Sequence, residues 1–370
     1  MTGVHGDQQP LAAPATGRVP VGAPLARVDG PAKVTGHARY AAEHPAPDLA
    51  CGVVVNSTIA KGRIERIDVD AALAVPGVLD VLTHLHRPKM RSLSMLYKDM
   101  TAPGGSPFRP LHDAEIVYSG QPVALVLADS FEAARYAAGL VEVTYSVQPH
   151  ETNLVKNLDQ AHSPSRLKAG YSPPPKARGE ADVALESAAA QVRAVYHSGA
   201  EHHNPMEMHA TTVIHGDDGH LTIYDKTQGS QNCRWVVSRA FGLSKDKITV
   251  RNPYVGGAFG SGLRPQYPLI LAVLGALHLK RSVRVVLSRQ QMFTFGHRPE
   301  TWQRISLGAA SDGTLTALIH EAKAETSQHE DYVESVVSWG NQLYRCENVR
   351  FDYGLVALDL ERHVRRRGRG

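Results

Sequence analysis

Cysteine is scarce in this chain, and long apolar segments are missing. The 370 residues include three cysteines, Cys51, Cys233 and Cys346, which stand far apart without a Cys-x-x-Cys pair. Distant cysteines in odd number argue against a disulfide scaffold, and the missing pairs argue against a zinc ribbon or an iron–sulfur cluster within the chain. No apolar run approaches the roughly 18 residues of a membrane span, so we expect no membrane partner.

Net charge is nearly absent from most of the sequence. The formal charge is +4, but residues 361–370 hold five arginines and one glutamate, so the other 360 residues carry no net charge. A nucleic-acid-binding domain has a basic face of its own. We therefore expect no nucleic-acid partner, although an arginine-rich tail that binds nucleic acid is a rival interpretation of the last residues.

The composition is otherwise that of a globular protein, with 42% hydrophobic and 21% charged residues in a length that suits two domains. Residues 1–20 lack the apolar core of a secretory signal and a twin-arginine pair, and we interpret them as a disordered leader. A strand–helix–strand pattern (122–128, 131–140 and 141–146) indicates a compact α+β unit over residues 21–150. The proline-rich residues 151–190 resemble a linker, and a second domain is expected over 191–358.

The second domain contains a dense glycine loop, Gly256-Gly257-Ala258-Phe259-Gly260-Ser261-Gly262. It lies between a predicted strand (248–255) and a predicted helix (265–279), where exposed backbone amides suit a phosphate-bearing ligand. A P-loop would need Lys and Ser or Thr after Gly262, and Leu263 and Arg264 stand there instead. The dinucleotide fingerprint has a different glycine spacing. The loop therefore binds another ligand, or it is only a tight turn.

Three other segments carry chemically versatile side chains. Gln228 follows a predicted strand, and its amide can both donate and accept hydrogen bonds. The segment 201–209 holds three histidines, but Pro205 breaks helical spacing and no His-Glu-x-x-His is present, so we favour pocket lining or packing over a metal site. For the segments 289–290 and 297–300 we favour a solvated loop over a contact with an anion or a partner.

Together these segments resemble the molybdopterin-binding large subunit of the xanthine dehydrogenase/aldehyde oxidase family, and in particular the bacterial three-subunit aldehyde dehydrogenases of the periplasmic type. The likeness covers residues 20 to 358. It is carried by Thr227-Gln228-Gly229, by the glycine loop and by further motifs near the start of each domain: Arg27-Val28-Asp29-Gly30, Lys33-Val34-Thr35-Gly36, Gly120-Gln121-Pro122-Val123-Ala124 and Asn204-Pro205-Met206-Glu207. The implied fold class is α+β, with an N-terminal α/β hammerhead domain and then the first, incomplete part of a molybdopterin-binding α+β domain.

The resemblance also implies a cofactor and a site. The cofactor is molybdopterin with molybdenum, in the cytosine dinucleotide form. Gln228 would hydrogen-bond an oxygen ligand of the metal, and Gly256, Gly257, Ala258, Phe259 and Gly260 would lie against the cofactor. The implied reaction is hydroxylation of an aldehyde or an N-heterocycle with oxygen from water. Iron–sulfur clusters and FAD would be carried by a small and a medium partner subunit, and the location would be cytoplasmic, or periplasmic by export with a partner that bears the signal.

This chain is shorter than the large subunits of that family, which are roughly twice as long. The resemblance places the catalytic glutamate in the half that is not represented, so we assign no catalytic residue and expect the chain alone to be inactive. Residues 359–370 are dominated by arginine and glycine, and we interpret them as an aberrant tail of a truncated or frameshifted subunit. A non-catalytic assembly or cofactor-handling protein, and a P-loop-like nucleotide binder, remain as alternatives.

Overall fold

The structure is a computed structural model that describes residues 22, 26–91, 109–164, 173–329, 331–334 and 336–361. It divides into two compact units, residues 1–38 and residues 39–370. In the first unit the described part contains the short helix Gly30–Val34, whose Lys33 pairs with Asp29 at 2.5 Å. The predicted leader lies almost entirely outside the described residues, and all other elements belong to the second unit.

The second unit alternates short helices and strands. Its α-helices are Asp70–Leu73, Phe131–Ala138, Ala181–Glu186, Ser230–Phe241, Tyr267–Leu279 and Gly340–Leu343, with 3₁₀ turns at Val155–Gln160, Lys245–Lys247, Gln291–Phe293 and Val336–Ser338. Its strands are β1 (Ala50–Asn56), β2 (Gly62–Asp68), β3 (Val78–Thr83), β4 (Glu115–Ile116), β5 (Pro122–Ala128), β6 (Glu142–Val147), β7 (Ala190–Ser198), β8 (Glu201–His202), β9 (Ala210–His215), β10 (Leu221–Asp225), β11 (Ile248–Arg251), β12 (Val283–Val286), β13 (His297–Arg298), β14 (Thr301–Ala309), β15 (Leu315–Ser327) and β16 (Asn348–Leu358).

The central feature is a mixed seven-stranded sheet in the order β11-β10-β9-β12-β1-β5-β3. Strand β1 pairs in parallel with β12, with Ala50 opposite Val283, and antiparallel with β5. Strands from the predicted hammerhead domain and from the predicted cofactor-binding domain are therefore hydrogen-bonded into one sheet. The remaining strands form a three-stranded sheet (β4-β2-β6), a four-stranded sheet (β16-β15-β14-β7) and the pair β13-β8.

The helix Tyr267–Leu279 forms the centre of the core. Its sequence YPLILAVLGALHL is apolar on all sides, and every residue from Tyr267 to Ala276 is buried. Such a helix cannot lie on a surface, because it has no polar face to present to water. An added Cβ at Gly275 would lie 3.0 Å from Leu127 Cδ2, so the missing side chain lets the helix approach β5 closely.

Most predicted elements of the two domains are present. The predicted strand 122–128 forms as β5, and the predicted helix 131–140 forms as Phe131–Ala138, which the Ser130 side chain caps by accepting a hydrogen bond from Ala133 N. No helix within the described ranges is long and apolar enough to cross a membrane.

The expectation of an extended linker is wrong for the described part of residues 151–190. A 3₁₀ turn (Val155–Gln160) and the helix Ala181–Glu186 form there. Leu154 is fully buried in a cluster with Val356 and Leu358. The segment therefore packs against β16, because its few apolar residues are placed to cover that strand.

Residues 359–361, which we assigned to the aberrant tail, pack against the rest of the fold. Asp359 is buried and accepts hydrogen bonds from Lys61 Nζ and from Glu151 N, both at 2.9 Å. Glu361 contacts His297 at 2.6 Å. The rest of the predicted tail, residues 362–370, lies outside the described residues.

Candidate functional site

The glycine loop and Gln228 lie at one edge of the central sheet. Gln228 comes shortly after β10, and the loop comes shortly after β11, and these two strands are parallel neighbours. The carboxyl ends of adjacent parallel strands meet at the same edge of a sheet, which is where open α/β sheets bind ligands. Two segments that are separate in the sequence are thereby brought together.

Gln228 and the end of the loop hydrogen-bond each other directly. Gln228 N donates to Gly262 O at 2.8 Å, and Gly262 N donates to Gln228 Oε1 at 3.3 Å. A Cβ at Gly262 would lie 3.1 Å from Gln228 N, so a side chain there would push the two main chains apart by a few tenths of an ångström, and glycine allows their close approach. The Gln228 side chain is exposed, and its Nε2 donates to no group within the described residues.

The loop leaves consecutive backbone amides without an acceptor in the described part of the chain. The N–H groups of residues 257–260 donate to no acceptor among the described residues, whereas Ser261 N and Leu263 N close tight turns onto Ala258 O and Gly260 O. Positive φ angles at Gly257 (89°), Phe259 (54°) and Gly260 (106°) produce this arrangement. Successive amides in such a turn form a concave donor surface that suits oxygen atoms of an anionic or polar ligand.

Phe259 lies at the tip of this donor surface. Its side chain is 60% exposed although it is large and apolar. A non-glycine residue with φ near +54° is strained by about 1–2 kcal/mol. An exposed aromatic ring on a strained backbone is typical of a surface that contacts a ligand or a substrate.

Glu207 is hydrogen-bonded to Gly256, the first residue of the loop. Its Oε2 accepts a hydrogen bond from Gly256 N at 2.7 Å, its Oε1 accepts one from Ala41 N at 3.3 Å, and its own N donates to Gly256 O at 3.0 Å. Burial raises the pKa of this carboxyl, and the two backbone hydrogen bonds oppose that effect. Since both oxygens accept from the main chain, Glu207 positions the loop.

A buried lysine, Lys226, is hydrogen-bonded to the loop. Lys226 is 2% exposed, and its Nζ donates to His209 Nε2 at 3.1 Å and to Ser261 Oγ at 3.2 Å. Ser261 Oγ in turn donates to Ala258 O at 2.8 Å. Burial lowers the pKa of Lys226 to about 8 and lowers the pKa of His209 well below its usual value, so His209 is a neutral acceptor.

A second buried polar group lies beside Lys226. Asp225 accepts from Thr211 Oγ1 at 2.5 Å and from Cys233 Sγ at 3.5 Å, and Cys233 Sγ also lies 3.2 Å from Thr227 Oγ1. Burial raises the pKa of Asp225 to about 6. Thr227 Oγ1 donates to Gly262 O at 3.1 Å, so this second group of buried polar side chains is also hydrogen-bonded to the loop.

The histidines of the segment 201–209 do not converge. His209 lies under the loop, His203 Nδ1 contacts Gly296 O at 3.0 Å, and the His202 ring lies 4.9 Å from that of Phe293. Arg289 binds both the side chain and the main chain of this segment, donating to Asn204 Oδ1 at 3.0 Å and to carbonyl oxygens that include that of Met206 at 2.9 Å. Arg289 is therefore held by the segment 204–206 and is not simply a solvated side chain.

The expectation of a solvated loop at 297–300 is wrong for His297. This side chain is 3% exposed, and its Nε2 and Nδ1 lie 2.7 Å from Glu325 Oε1 and 2.6 Å from Glu361 Oε1. Burial alone would lower the pKa of His297, but the two carboxylates outweigh it and raise the pKa to about 10. The buried imidazolium joins β13 to β15 and to the end of β16.

Sequence reasoning missed the residues behind the loop. Glu207 was noted only as part of a motif, and the roles of Lys226 and His209 were not predicted, because a charged residue at a strand end is usually exposed. The available signal was position: Lys226 stands immediately before the motif that contains Gln228, and its neighbours Asp225 and Thr227 are also polar.

Comparison with known proteins gives a consistent family. A family model described as the molybdopterin cofactor-binding domain matches residues 165–370. A second model, the a/b hammerhead domain of aldehyde oxidase and xanthine dehydrogenase, matches residues 35–149. These matches confirm the predicted fold class, and the first includes the residues that we expected to lie outside the likeness.

Individual relatives agree with the models. The chain is 34% identical over 343 residues to the aldehyde oxidoreductase molybdenum-binding subunit PaoC of Escherichia coli (strain K12), covering 92% of this chain and 44% of that protein. Among solved structures, the aldehyde oxidoreductase of Desulfovibrio gigas superposes with a TM-score of 0.76 at 26% identity, covering 92% of this chain and 39% of that one. Quinoline 2-oxidoreductase of Pseudomonas putida 86 has a TM-score of 0.76 at 25% identity, with 93% and 45% covered. The chain thus spans less than half the length of these relatives.

Proposed function

The chain belongs to the aldehyde oxidase and xanthine dehydrogenase family through its hammerhead and molybdopterin-binding domains, and on that basis we propose that it binds the molybdenum–pterin cofactor with the glycine loop and Gln228. The observation that carries the proposal is that the backbone amides of residues 257–260 and Nε2 of Gln228 have no acceptor among the described residues, while Gln228 and Gly262 are hydrogen-bonded to each other. These groups follow two adjacent parallel strands at the edge of the sheet.

The chemistry of this donor set fits the cofactor. A molybdenum–pterin group carries oxygen atoms on its metal and on its phosphate, and these atoms accept hydrogen bonds. The loop offers a series of backbone N–H donors, and Glu207, which contacts the loop, has both carboxylate oxygens occupied by backbone amides. The buried ammonium group of Lys226 is hydrogen-bonded to Ser261 of the loop. Its positive potential would favour an anion bound at the loop.

Each residue has a distinct role in this proposal. When bound, the cofactor supplies a two-electron oxidation that is coupled to the transfer of oxygen from water to the substrate carbon. Gln228 Nε2 donates to an oxygen atom of the cofactor, and the amides of residues 257–260 orient it. The exposed ring of Phe259 provides an apolar wall, which excludes water and suits a planar or apolar substrate.

The finer features remain part of the proposal. We infer the cytosine dinucleotide form of the cofactor, an aldehyde or an N-heterocycle as substrate, and partner subunits that carry iron–sulfur clusters and FAD. The names of relatives, which include a molybdenum-binding subunit, an aldehyde oxidoreductase and a quinoline oxidoreductase, support the subunit role and the substrate class, whereas the form of the cofactor and the partner subunits follow from the family resemblance alone. No residue of this chain is proposed as the catalytic base. The compartment, cytoplasmic or periplasmic, would be read from cell fractionation.

The test is cofactor retention by the purified chain. The wild type is produced in a bacterial host that makes the cofactor, and molybdenum is measured by mass spectrometry, pterin by fluorescence after oxidation, and released cytidine monophosphate by chromatography. Gln228→Leu removes one amide donor, which costs about 1 kcal/mol and lowers pterin retention about fivefold. Gln148→Leu, at an exposed glutamine that directly follows β6, is the matched control.

A backbone variant tests the loop separately. Gly260→Ala places a side chain at φ 106° and disturbs the amides, whereas Gly313→Ala meets the same kind of backbone (φ 87°) at a hairpin turn with open space around it. We expect pterin loss in the first variant and retention in the second. A wild-type chain that carries neither pterin nor molybdenum contradicts the proposal. ATP binding without pterin would favour a nucleotide binder, and pterin binding without aldehyde-dependent dye reduction in the presence of partner subunits would favour a cofactor-handling protein.

A further inference from the structure

A cluster of two histidines and one aspartate lies away from the glycine loop. Asp80 on β3, His86 on the turn after β3 and His278 in the last turn of the helix Tyr267–Leu279 bring one ligand atom each to within 4.8 Å of the others. The Nε2 atoms of His86 and His278 lie 2.9 Å and 2.5 Å from Asp80 Oδ2. No other group of three such ligands occurs in the part of the chain that the structure describes.

The carboxylate of Asp80 is oriented by the main chain. Its Oδ1 accepts a hydrogen bond from Val81 N at 2.7 Å, which turns Oδ2 toward the two imidazoles. Groups that fix the direction of a ligand in this way are a regular part of metal sites, because they lower the cost of assembling the ligands. The side chain of Asp80 is 21% exposed, so an ion would be partly sheltered from water.

The turn that carries His86 is also hydrogen-bonded to Thr83, the last residue of β3. Thr83 N donates to His86 O at 2.9 Å, and Thr83 Oγ1 accepts from Leu85 N at 3.2 Å and from His86 N at 3.3 Å. The buried threonine thus holds the turn closed and places His86 over Asp80. The His86 ring meets the His278 ring edge to face, with centroids 5.4 Å apart.

From this geometry we propose that Asp80, His86 and His278 form a binding site for a divalent transition-metal ion such as Zn²⁺. Two imidazole nitrogens and one carboxylate oxygen are a ligand set that Zn²⁺ accepts, with water at the fourth position. Ligands of a tetrahedral zinc ion lie about 3.3 Å apart, given zinc–ligand bonds of about 2.0–2.1 Å. Asp80 Oδ2 must therefore move about 0.4 Å away from His86 Nε2, which the exposed His86 side chain permits, and about 0.8 Å away from His278 Nε2, which requires the Asp80 and His278 side chains to rotate.

The position of the site indicates its role. Two ligands come from the segment that matches the hammerhead model, and His278 comes from the segment that matches the cofactor-binding model. A bound ion would join β3 to the central buried helix. It would stabilise the folded state by mass action, because the unfolded chain does not hold the three ligands together. This inference does not depend on the proposed cofactor site.

The test is zinc binding by the whole chain after removal of metals by dialysis against a chelator. Zn²⁺ is titrated in competition with a chromophoric chelator, and stoichiometry is compared between wild type, His86→Gln, His278→Gln and the control His150→Gln. His86 and His150 are both exposed, so neither substitution threatens the fold. We expect His86→Gln and His278→Gln each to lose one equivalent of zinc, or to bind it more than about tenfold more weakly, while His150→Gln matches the wild type.

Two further measurements distinguish a specific metal site from nonspecific binding by surface histidines. Co²⁺ in place of Zn²⁺ should give the absorption bands of a four-coordinate ion in the wild type, and these bands should be lost in Asp80→Asn. Zinc should also raise the unfolding temperature of the wild type more than that of Asp80→Asn. Equal zinc stoichiometry and affinity in the wild type and His86→Gln would overturn the proposal, as would an octahedral cobalt spectrum in the wild type.

Discussion

Lys226 offers a direct test of the buried polar group behind the glycine loop. Lys226→Met replaces the buried ammonium with an apolar group of similar length and removes its hydrogen bonds to His209 and Ser261. Because the pKa of Lys226 falls from its ordinary value of 10.5 to about 8, the folded and unfolded states release the proton at different pH. The substitution therefore changes how stability depends on pH.

The sign and the size follow from proton linkage. Between pH 8 and pH 10.5 the unfolded chain holds the lysine proton and the folded chain has released it, so folding becomes more favourable as the pH rises. Below this window the folded state bears the cost of a buried cation, and above it neither state carries the proton. Each pH unit is worth about 1.4 kcal/mol, which makes the full effect about 3 kcal/mol.

The assay is urea unfolding of the wild type and of Lys226→Met at several pH values. The difference in unfolding free energy should shift in favour of the wild type by about 2 kcal/mol between about pH 7.5 and about pH 10. Taking the difference cancels other groups that titrate in this range, such as His297. Lys247→Met, a surface lysine 3.0 Å from Asp218, is the matched control and should run parallel to the wild type. Parallel curves for Lys226→Met would show that the lysine is not buried as a cation.

Three further changes test other parts of the fold. Gly256→Ala puts a Cβ 2.6 Å from Glu207 Cβ, and we expect a loss of about 1–3 kcal/mol together with lower pterin retention, measured by thermal unfolding and fluorescence. His297→Gln leaves two buried carboxylates without their cation and should cost about 3–5 kcal/mol. That cost should be greatest below pH 6.5 and shrink as the pH rises toward 10, where the wild-type imidazolium loses its proton; urea midpoints at acid and alkaline pH check this. Leu154→Ala should cost about 2–5 kcal/mol in urea unfolding, whereas the exposed Val155→Ala should change little; equal effects would contradict the packing of this segment.

Local patterns predicted the individual elements well. The helix Ser230–Phe241 has an apolar stripe and a following glycine, Gly242, which adopts φ 72° and ends it. The hairpin of β14 and β15 is marked by a turn at 311–314, where Thr314 N donates to Asp312 Oδ1 at 2.9 Å. Such signals lie within a few residues of one another, so a single sequence contains them in full.

Contacts between distant segments could not be predicted in the same way. The parallel pairing of β1 with β12 joins strands from the two ends of the chain, and nothing in either strand specifies the partner. The same holds for the packing of Leu154 beneath Val356, and for Lys226, whose burial depends on what covers the end of β10. The adjacency of Gln228 and the glycine loop was expected through family resemblance, and its physical cause is the parallel register of β10 and β11.

The glycine loop is hydrogen-bonded to buried polar side chains, while its amides at 257–260 have no acceptor among the described residues. This division explains how the loop can be both strained and stable. Positive φ angles at Phe259 and its neighbours cost conformational energy, which the hydrogen bonds of Ser261, Lys226 and Glu207 on the inner side offset. If the amides of residues 257–260 bind the cofactor as proposed, these contacts would hold the loop in place for that ligand. A substitution on the inner side, such as Lys226→Met, should therefore weaken cofactor retention without touching the cofactor, and more so than a surface change of equal effect on stability.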